Sequence, residues 1–314
     1  MRVLVIGATG AIGTRLVPQL VAAGHDVIGT SRSAEKAEGL RSLGTQGVVL
    51  DVLDAQAVRN TVGAVRPDAI VYQATALDGI ADFTDFDRGF AETNRLRTAG
   101  TDNVLAAGRE AGVRRVVAQS NASHRYAREG GPVKNEDDPL DPTPPPGLRE
   151  TVEAMNYVDQ AVTGTGGIAL RYGVFYGNPA DPVGAAVRAG QWPIVGDGGG
   201  VWSFIHLEDA AAATVLALEH DGPAIYNIVD DEPATTAVWL TELAKVLDAD
   251  APQHVTPEQA RDFAGEALVV TSTESRGAAN TKAKRELGWT LRHPSWRQGF
   301  AAVYAEPGGG KETS

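Results

Sequence analysis

The sequence contains no cysteine, which excludes disulfide bonds, thiolate nucleophiles and cysteine-ligated zinc. Positive charge is also scarce, because 28 lysines and arginines face 40 acidic residues and give a formal net charge of −12. This balance argues against nucleic acid or an anionic membrane as the main partner. No apolar run approaches the roughly 20 residues that a bilayer span needs. Met1 leads directly into an apolar strand pattern that leaves no room for a signal peptide, so we expect a soluble, cytoplasmic protein.

Short apolar runs alternate with helical segments along the first half of the chain. The runs are typical of strands buried on both faces and lie at 3–6, 25–29, 47–50, 69–72, 115–118 and 168–171. Strands that alternate with helices build βαβ units with right-handed crossovers. The sequence therefore predicts an α/β protein with a doubly wound parallel sheet, the Rossmann fold, and a smaller C-terminal substrate lobe.

The spacing of glycine and proline changes after about residue 128. Residues 129–147 and 177–203 are rich in both and are expected to be surface loops, and helices return at 207–220 and 236–247. We expect a nucleotide-binding Rossmann domain over 1–173. Residues 174–304 are expected to form mainly the substrate-binding lobe, with segments that return to the sheet, and 305–314 a flexible tail.

A glycine-rich turn follows the first strand and opens the first helix. Gly7 permits a tight turn, Gly10 lets the backbone approach a pyrophosphate, and Gly13 lets the helix pack on the strand. The free N–H groups and positive dipole end of the helix then face the phosphates. The predicted phosphate-binding residues are Gly7, Thr9, Gly10, Ala11, Ile12 and Gly13.

The end of the second strand predicts which nucleotide binds. An acidic residue there would hydrogen-bond a ribose 2′-hydroxyl, but this sequence has the segment Thr-Ser-Arg-Ser at 30–33 instead. The guanidinium of Arg32, with Lys36 four residues later, suits a 2′-phosphate through charge-assisted hydrogen bonds. We therefore expect NADP(H) in preference to NAD(H); the alternative is that Arg32 is a solvated surface residue.

Further motifs make the chain resemble an extended, atypical short-chain dehydrogenase/reductase of the NAD(P)-dependent epimerase/dehydratase family, over roughly residues 1–304. They are the glycine turn, Asp51-Val52, the segments at 73–76, 171–177 and 204–209, Ser120, and the stretch at 280–289. The resemblance implies that Asp51 and Val52 contact the adenine and that Ala74, Thr75 and Ala76 line the ribose and nicotinamide. It also implies that Tyr172 approaches the nicotinamide, and it suggests a homodimer through residues 92–108 and 148–162.

One departure from the family concerns its Tyr-x-x-x-Lys pair, in which the tyrosine exchanges the proton and the lysine lowers the tyrosine's pKa. The equivalent segment is about 148–162, where Tyr157 is followed four residues later by Ala161 and no lysine is present. The usual general acid is therefore missing. A second departure is Trp202, which stands near the point where sugar-nucleotide members place an arginine, so we expect a smaller or more apolar substrate.

Hydride transfer to a carbonyl needs a group that exchanges the oxygen's proton. The candidates are Ser120 at the end of the fifth strand, where open α/β sheets bind ligands, and His124 and Tyr126 in the loop that follows. Each of the three could instead be a capping or packing residue. Phe175, Tyr176 and Trp202 are predicted to form apolar walls around the substrate, or else to pack the hinge between the lobes.

Three functions remain open from the sequence. The leading hypothesis is an NAD(P)-dependent oxidoreductase that acts on a small carbonyl or alcohol. The second is an epimerase, dehydratase or isomerase with no net redox change, and the third is a non-catalytic protein that senses NADP(H). No metal site is expected, because the acidic stretch at 136–138 lacks ligands at metal spacing.

Overall fold

The computed structural model describes residues 1–77, 85–178 and 182–304. Its strands are β1 (Arg2–Ile6), β2 (Asp26–Ser31), β3 (Gln46–Val49), β4 (Ala69–Tyr72), β5 (Arg115–Asn121), β6 (Val133–Lys134), β7 (Ile168–Tyr172), β8 (Val174–Tyr176), β9 (Ile194–Val195), β10 (Val201–Trp202), β11 (Phe204–His206), β12 (Ala224–Ile228), β13 (Ala234–Thr235), β14 (His254–Val255) and β15 (Gly277–Ala278).

The helices alternate with these strands. They are α1 (Gly13–Ala22), α2 (Ala34–Gly39), α3 (Ala55–Val65), α4 (Phe86–Gly89), α5 (Ala91–Arg95), α6 (Thr101–Glu110), α7 (Arg149–Gly164), α8 (Pro182–Arg188), α9 (Leu207–Ala217), α10 (Thr236–Val246), α11 (Pro257–Thr273), α12 (Thr281–Leu287) and α13 (Trp296–Tyr304). A 3₁₀ turn covers Leu40–Leu43, and a π-turn at Leu96–Gly100 joins α5 to α6. The predicted tail at 305–314 lies outside the described residues.

A seven-stranded parallel sheet forms the centre of the molecule, in the order β12-β7-β5-β4-β1-β2-β3. The prediction of a doubly wound parallel sheet is confirmed. The chain order reverses between β1 and β4, and such a switch point is where open α/β sheets bind ligands, outside the carboxyl ends of the strands. The glycine turn and the segment after β4 meet there, because Gln73 N donates to Ile6 O at 2.8 Å.

Helices cover both faces of the sheet because its strands are apolar on both sides. On one face, Leu16 and Leu20 of α1 pack with alanines of α9 such as Ala210. On the other face, Val62 of α3 and Val104 of α6 form a separate cluster. Each cluster combines residues from both the sheet and the helices, which holds the helices against the two faces of the sheet.

An aromatic cluster forms the core of the smaller lobe. Trp239 of α10 packs on Phe204, and Phe300 of α13 packs edge-on against Phe204 and Tyr176. The lobe is interleaved with the sheet, because β12 returns to pair with β7 at the sheet's edge. Across the described ranges, no helix is both long and apolar enough to span a membrane.

Candidate active site

The glycine turn is packed tightly at two of its three glycines. Gly7 has a φ of +88°, and a Cβ at this position would lie 2.8 Å from the backbone carbon of Gln73. A Cβ on Gly13 would lie 2.4 Å from Gly7 O, so the start of α1 can approach the turn only without a side chain. The chain's own packing thus requires glycine at 7 and 13.

Gly10 differs from the other two, because the surrounding chain leaves room for a side chain there. A Cβ there would meet only Gly7 O, at 3.4 Å, among the described atoms. The N–H groups of Ala11, Ile12 and Gly13 donate to no acceptor within the part of the chain that the structure describes. Free donors at a helix N-terminus beside an open glycine suit a phosphate group. The residues present therefore fit a dinucleotide pyrophosphate.

The end of β2 brings three of the predicted nucleotide contacts together. Thr9 Oγ1 donates to Ser31 Oγ at 3.0 Å, and Arg32 follows Ser31 directly. Arg32 forms an ion pair with Glu92 of α5, and both side chains are about half exposed. Lys36 is exposed on α2, one turn beyond Ser33, whose side chain caps that helix. A 2′-phosphate would have to compete with Glu92 for the guanidinium.

The segments after β3 and β4 are held by the chain itself. Asp51 Oδ1 accepts from Leu53 N at 3.0 Å in an exposed turn, and the Val52 side chain is buried in the core. Ala74, Thr75 and Ala76 are half-buried, and Ala76 N donates to Thr93 Oγ1 at 3.0 Å. This bond ties the segment after β4 to α5.

Tyr172, which the resemblance placed near the nicotinamide, is buried at the carboxyl end of β7. It is fully buried, its hydroxyl accepts from Gln73 Nε2 at 3.0 Å, and it shares a 2.6 Å hydrogen bond with Thr214 Oγ1. Burial raises the pKa of Tyr172 to about 12. The Thr214 hydroxyl donates to Ala210 O, so the Tyr172 proton goes to Thr214 and is not free for a cofactor in this structure.

A buried ionic cluster, which the sequence reasoning missed, lies at the carboxyl ends of β5 and β7. Asp159 Oδ2 of α7 accepts from Arg125 Nη2 at 2.6 Å and from Arg171 Nε at 2.8 Å. All three residues are at most 3% exposed. Arg171 was visible as a charge inside an apolar strand pattern, which is a usable signal because an arginine is seldom fully buried without a partner.

Two of the predicted proton-exchanging residues belong to this cluster. Ser120 is 1% exposed, and its Oγ accepts from Arg125 Nη1 at 3.1 Å. The Tyr126 hydroxyl donates to Asn227 Oδ1 at 2.7 Å and accepts from Arg171 Nη1 at 3.1 Å. Burial raises the pKa of Tyr126, which makes it a poorer acid. In this structure Ser120 and Tyr126 stabilise the cluster and are not free to meet a substrate.

His124 lies apart from the cluster and faces the smaller lobe. It has a φ of +60°, and its Nδ1 forms a 2.7 Å hydrogen bond with Ser275 Oγ. Its ring meets Trp202 edge-on, with centroids 4.8 Å apart. Burial lowers the pKa of His124 to about 4, so the imidazole is neutral at pH 7. His124 and Trp202 line a narrow cleft together with Ala122, Arg276 and Ala278, and in this structure the cleft is closed to a water-sized molecule.

The three predicted apolar wall residues do not meet at one place. Trp202 lies beside His124, and its Nε1 donates to Thr271 O at 3.0 Å. Tyr176 is buried in the core of the smaller lobe, whereas the half-buried Phe175 packs against Tyr172 under the sheet. Only Trp202 reaches the cleft. The ring of Phe86 also packs against His124, and the ring of Phe90 packs against Phe86.

Helix α7 offers no acid at the positions that the family would use. Tyr157 is 36% exposed and hydrogen-bonds Asp102 of α6, a contact that raises the pKa of the phenol. The side chains that α7 buries include Thr151, Met155 and Asp159. A larger concavity of about 600 Å³, bordered by Arg2 and Gln46, lies at the amino edge of the sheet. Ligands of such sheets bind at the opposite edge.

Comparisons with known proteins match most of the chain. A model of the NAD dependent epimerase/dehydratase family matches residues 3–229. A curated relative, the 3-diazoavenalumate denitrifying reductase of a Streptomyces species, is 42% identical over 308 residues and covers 96% of this chain and 99% of its own.

Two solved structures share the fold. The UDP-glucose 4-epimerase of Thermotoga maritima, with UDP-glucose, has a TM-score of 0.76 at 19% identity and covers 97% of both chains. The UDP-glucose 4-epimerase of Thermus thermophilus, in complex with NAD, has a TM-score of 0.71 at 24% identity and covers 97% of this chain and 98% of its own.

Proposed function

The chain belongs to the NAD dependent epimerase/dehydratase family and is an enzyme, as its motifs predicted, and we propose that it is an NADP(H)-dependent reductase of a small aromatic acceptor. The glycine turn is the observation that supports a nucleotide cofactor. Three of its N–H groups donate to no acceptor among the described residues, and the space toward which a Cβ on Gly10 would point is open. A reductase is favoured over the redox-neutral members by the 42% identity to a named reductase.

The preference for NADP(H) rests on the end of β2. Arg32 is the cation nearest in sequence to the ribose-binding strand end, and the Ser31 and Thr9 hydroxyls lie beside it. Because Arg32 pairs with Glu92 in the described structure, binding requires the guanidinium to turn from a carboxylate to a phosphate. Both are charge-assisted interactions, so the exchange has a modest cost.

Calorimetric titration with NADPH and NADH tests this assignment. Arg32→Ala is expected to weaken NADPH binding by about 1–3 kcal/mol, the range of a hydrogen bond to a charged group, and to leave NADH unchanged. Glu92→Gln is expected to strengthen NADPH binding, because it frees the guanidinium. Arg41→Ala, which removes an exposed arginine paired with Glu38, is the matched control. Equal losses for both nucleotides in Arg32→Ala contradict a 2′-phosphate contact.

The acceptor is proposed to be aromatic because aromatic rings border the cleft. Trp202 and Phe86 both pack against the neutral imidazole of His124. When bound, the nicotinamide supplies the hydride. His124 would position the acceptor by hydrogen bonding without changing charge. The cleft would have to widen to admit the acceptor, and Trp202 would then stack on its ring and exclude water, which favours an apolar acceptor over a sugar nucleotide.

A particular acceptor class follows from the missing acid. A carbonyl needs a proton as it takes the hydride, whereas an arenediazonium does not. A hydride added to the terminal nitrogen of a diazonium gives a neutral aryl diazene, which loses N₂ as its hydrogen moves to the ring carbon. The engagement of Ser120 and Tyr126 in the buried cluster favours this class, and so does the name of the 42% identical relative.

The two acceptor classes can be separated by following NADPH oxidation at 340 nm. A diazonium arene carboxylate is expected to consume one NADPH for each N₂ released, and an aromatic aldehyde is the carbonyl probe. Turnover of the aldehyde alone favours the carbonyl hypothesis and a proton donor at the cleft. Conversion of substrate without net NADPH use favours the epimerase or dehydratase alternative. Nucleotide binding without turnover of any probe favours the sensing protein.

The homodimer remains a proposal that rests on the outer face of α7. Tyr157 and Asp102 are joined there, and Arg149, Glu150 and Glu153 are exposed on the same helix. Light scattering of the purified protein would give the mass directly. A monomer at micromolar concentration contradicts the homodimer.

A further inference from the structure

The interior beside the nucleotide site carries more positive than negative charge. Three arginines, at 97, 125 and 171, are each at most 5% exposed, and the only carboxylate within hydrogen-bonding reach of any of them among the described residues of that interior is Asp159. Asp159 uses one oxygen for both Arg125 and Arg171, and its Oδ1 has no partner among the described residues. Glu136 is half-buried and faces Lys282 as well as Arg171.

Arg97 is the guanidinium that contacts no carboxylate itself among the described residues, although the charge of Asp159 reaches it. Within the described residues it forms no ion pair, and its one hydrogen bond is a long one, 3.4 Å from Nη1 to Asn94 Oδ1. Burial and the neighbouring Arg125 lower the pKa of Arg97 to about 10, which still leaves it charged at pH 7. A buried charge without a partner is costly to the fold, so its presence points to a role outside stability.

The backbone at Arg97 adds a second, independent observation. Arg97 lies in the π-turn at Leu96–Gly100, and single π-turns within helices are frequent at functional sites. The turn is fixed by Tyr72, whose hydroxyl donates to Leu96 O at 2.7 Å. A Cβ on Gly100 would lie 2.4 Å from that hydroxyl, so only glycine admits the contact. The chain thus uses an irregular helical turn and an obligatory glycine to hold the backbone at Arg97.

The position of Arg97 relates it to the nicotinamide end of the site. Thr93, four residues earlier and also buried, accepts the N–H of Ala76 in the segment after β4. In an open sheet of this order, a dinucleotide on the β1 turn places its adenosine over β2 and β3 and its nicotinamide over β4 and β5. Arg97 therefore lies behind the nicotinamide half, and Arg125 lies in the loop after β5.

From this placement we infer that Arg97 is a positioning residue whose uncompensated charge makes the protein bind the reduced nicotinamide in preference to the oxidised one, which commits the site to reduction. The inference rests on the proposed function. The nicotinamide ring is neutral when reduced and positive when oxidised, so a buried cation behind it repels only the oxidised form.

The test is the ratio of dissociation constants for NADP⁺ and NADPH, measured by calorimetry without substrate. A unit charge about 10 Å from the ring at an effective dielectric constant of about 20 corresponds to roughly a tenfold change in this ratio. Arg97→Met is therefore expected to lower the ratio roughly tenfold, and Arg97→Lys to keep it. Arg95→Met, an exposed arginine two residues earlier, is the control and is expected to change nothing.

A purely structural role for Arg97 would weaken both nucleotides equally and leave the ratio unchanged, and that result overturns the inference. If Arg97→Met does not fold, the same ratio of dissociation constants is measured in Asp159→Asn. Removal of the single carboxylate increases the excess positive charge and is expected to raise the ratio, and an unchanged or lower ratio overturns the inference. A wild-type protein that binds neither nucleotide overturns the proposed function as well, whereas binding with unchanged ratios overturns the inference alone.

Discussion

A carboxylate in the smaller lobe should make the protein less stable as the pH rises. Asp230 follows β12 and is 1% exposed, its Oδ1 accepts from Glu232 N at 3.1 Å, and its Oδ2 has no partner among the described residues. Burial, and the neighbouring carboxylates of Glu232 and Asp231, raise the pKa of Asp230 from 3.8 to about 8. The folded protein therefore holds a proton on Asp230 at neutral pH that the unfolded chain releases.

The sign and size of the effect follow from this difference in bound protons. Between pH 3.8 and 8 the folded state binds one proton more, so the free energy of unfolding falls by about 1.4 kcal/mol for each pH unit of increase. Asp230→Asn is neutral at every pH and keeps the amide oxygen as an acceptor for Glu232 N. We expect its stability relative to the wild type to rise by about 2 to 2.5 kcal/mol between pH 5.5 and 7.5 and to level off above pH 8.

Urea unfolding followed by far-ultraviolet circular dichroism measures this difference directly. Both proteins are titrated at several pH values between 5.5 and 9, and the difference between their free energies of unfolding is plotted against pH. Asp250→Asn, at an exposed position, serves as the control and should show no such slope. Parallel curves for the wild type and Asp230→Asn would refute the reasoning, because Asp230 would then ionise equally in both states.

Three further predictions concern the turn, a histidine and a helix terminus. Gly13→Ala should destabilise the protein by about 1–3 kcal/mol in urea unfolding, because its Cβ would lie against Gly7 O. Gly10→Ala should keep a free energy of unfolding within about 0.5 kcal/mol of the wild type, yet bind NADPH more weakly in calorimetry. Equal effects of the two variants on stability and on binding would contradict a phosphate site at Gly10. Burial and the stacked ring of His293 lower the pKa of His206 to about 4, so His206 should cost the fold stability as the pH falls below 6.5. His206→Asn should remove that loss in acid unfolding curves, and an unchanged curve would contradict it. Asp209→Asn should cost about 1–3 kcal/mol, because this buried carboxylate accepts the N–H groups of Arg292 and His293, and a variant as stable as the wild type would contradict that role.

The local fold and the glycine turn that suits a phosphate could be predicted from the sequence, because the residues that determine them are neighbours along the chain. A strand, a glycine turn and a helix N-terminus occupy residues 2–22 without a gap, and no distant segment is needed to recognise them. The apolar runs likewise marked strands of the central sheet, because a strand buried on both faces has little choice of residue.

The catalytic candidates were harder to predict because their surroundings come from distant segments. Arg125 and Asp159 are 34 residues apart, and Tyr126 and Asn227 are 101 apart. A tyrosine six residues after Ser120 gives the same pattern whether its hydroxyl faces a ligand or a buried arginine. Tyr172 shows the same difficulty, since Gln73 and Thr214, which occupy its hydroxyl, lie on other elements.

The late return of β12 to the central sheet constrains how this chain can be synthesised and folded. Until the ribosome has added the roughly 56 residues from Tyr172 to Ile228, β7 is an open edge of the sheet. At about 5–20 residues per second this edge persists for some 3 to 11 seconds in the nascent chain. An unpaired apolar edge is a template for association with other chains. Chaperone capture of the nascent chain should therefore peak in this window, and premature termination within it should give aggregates and no independent nucleotide-binding domain.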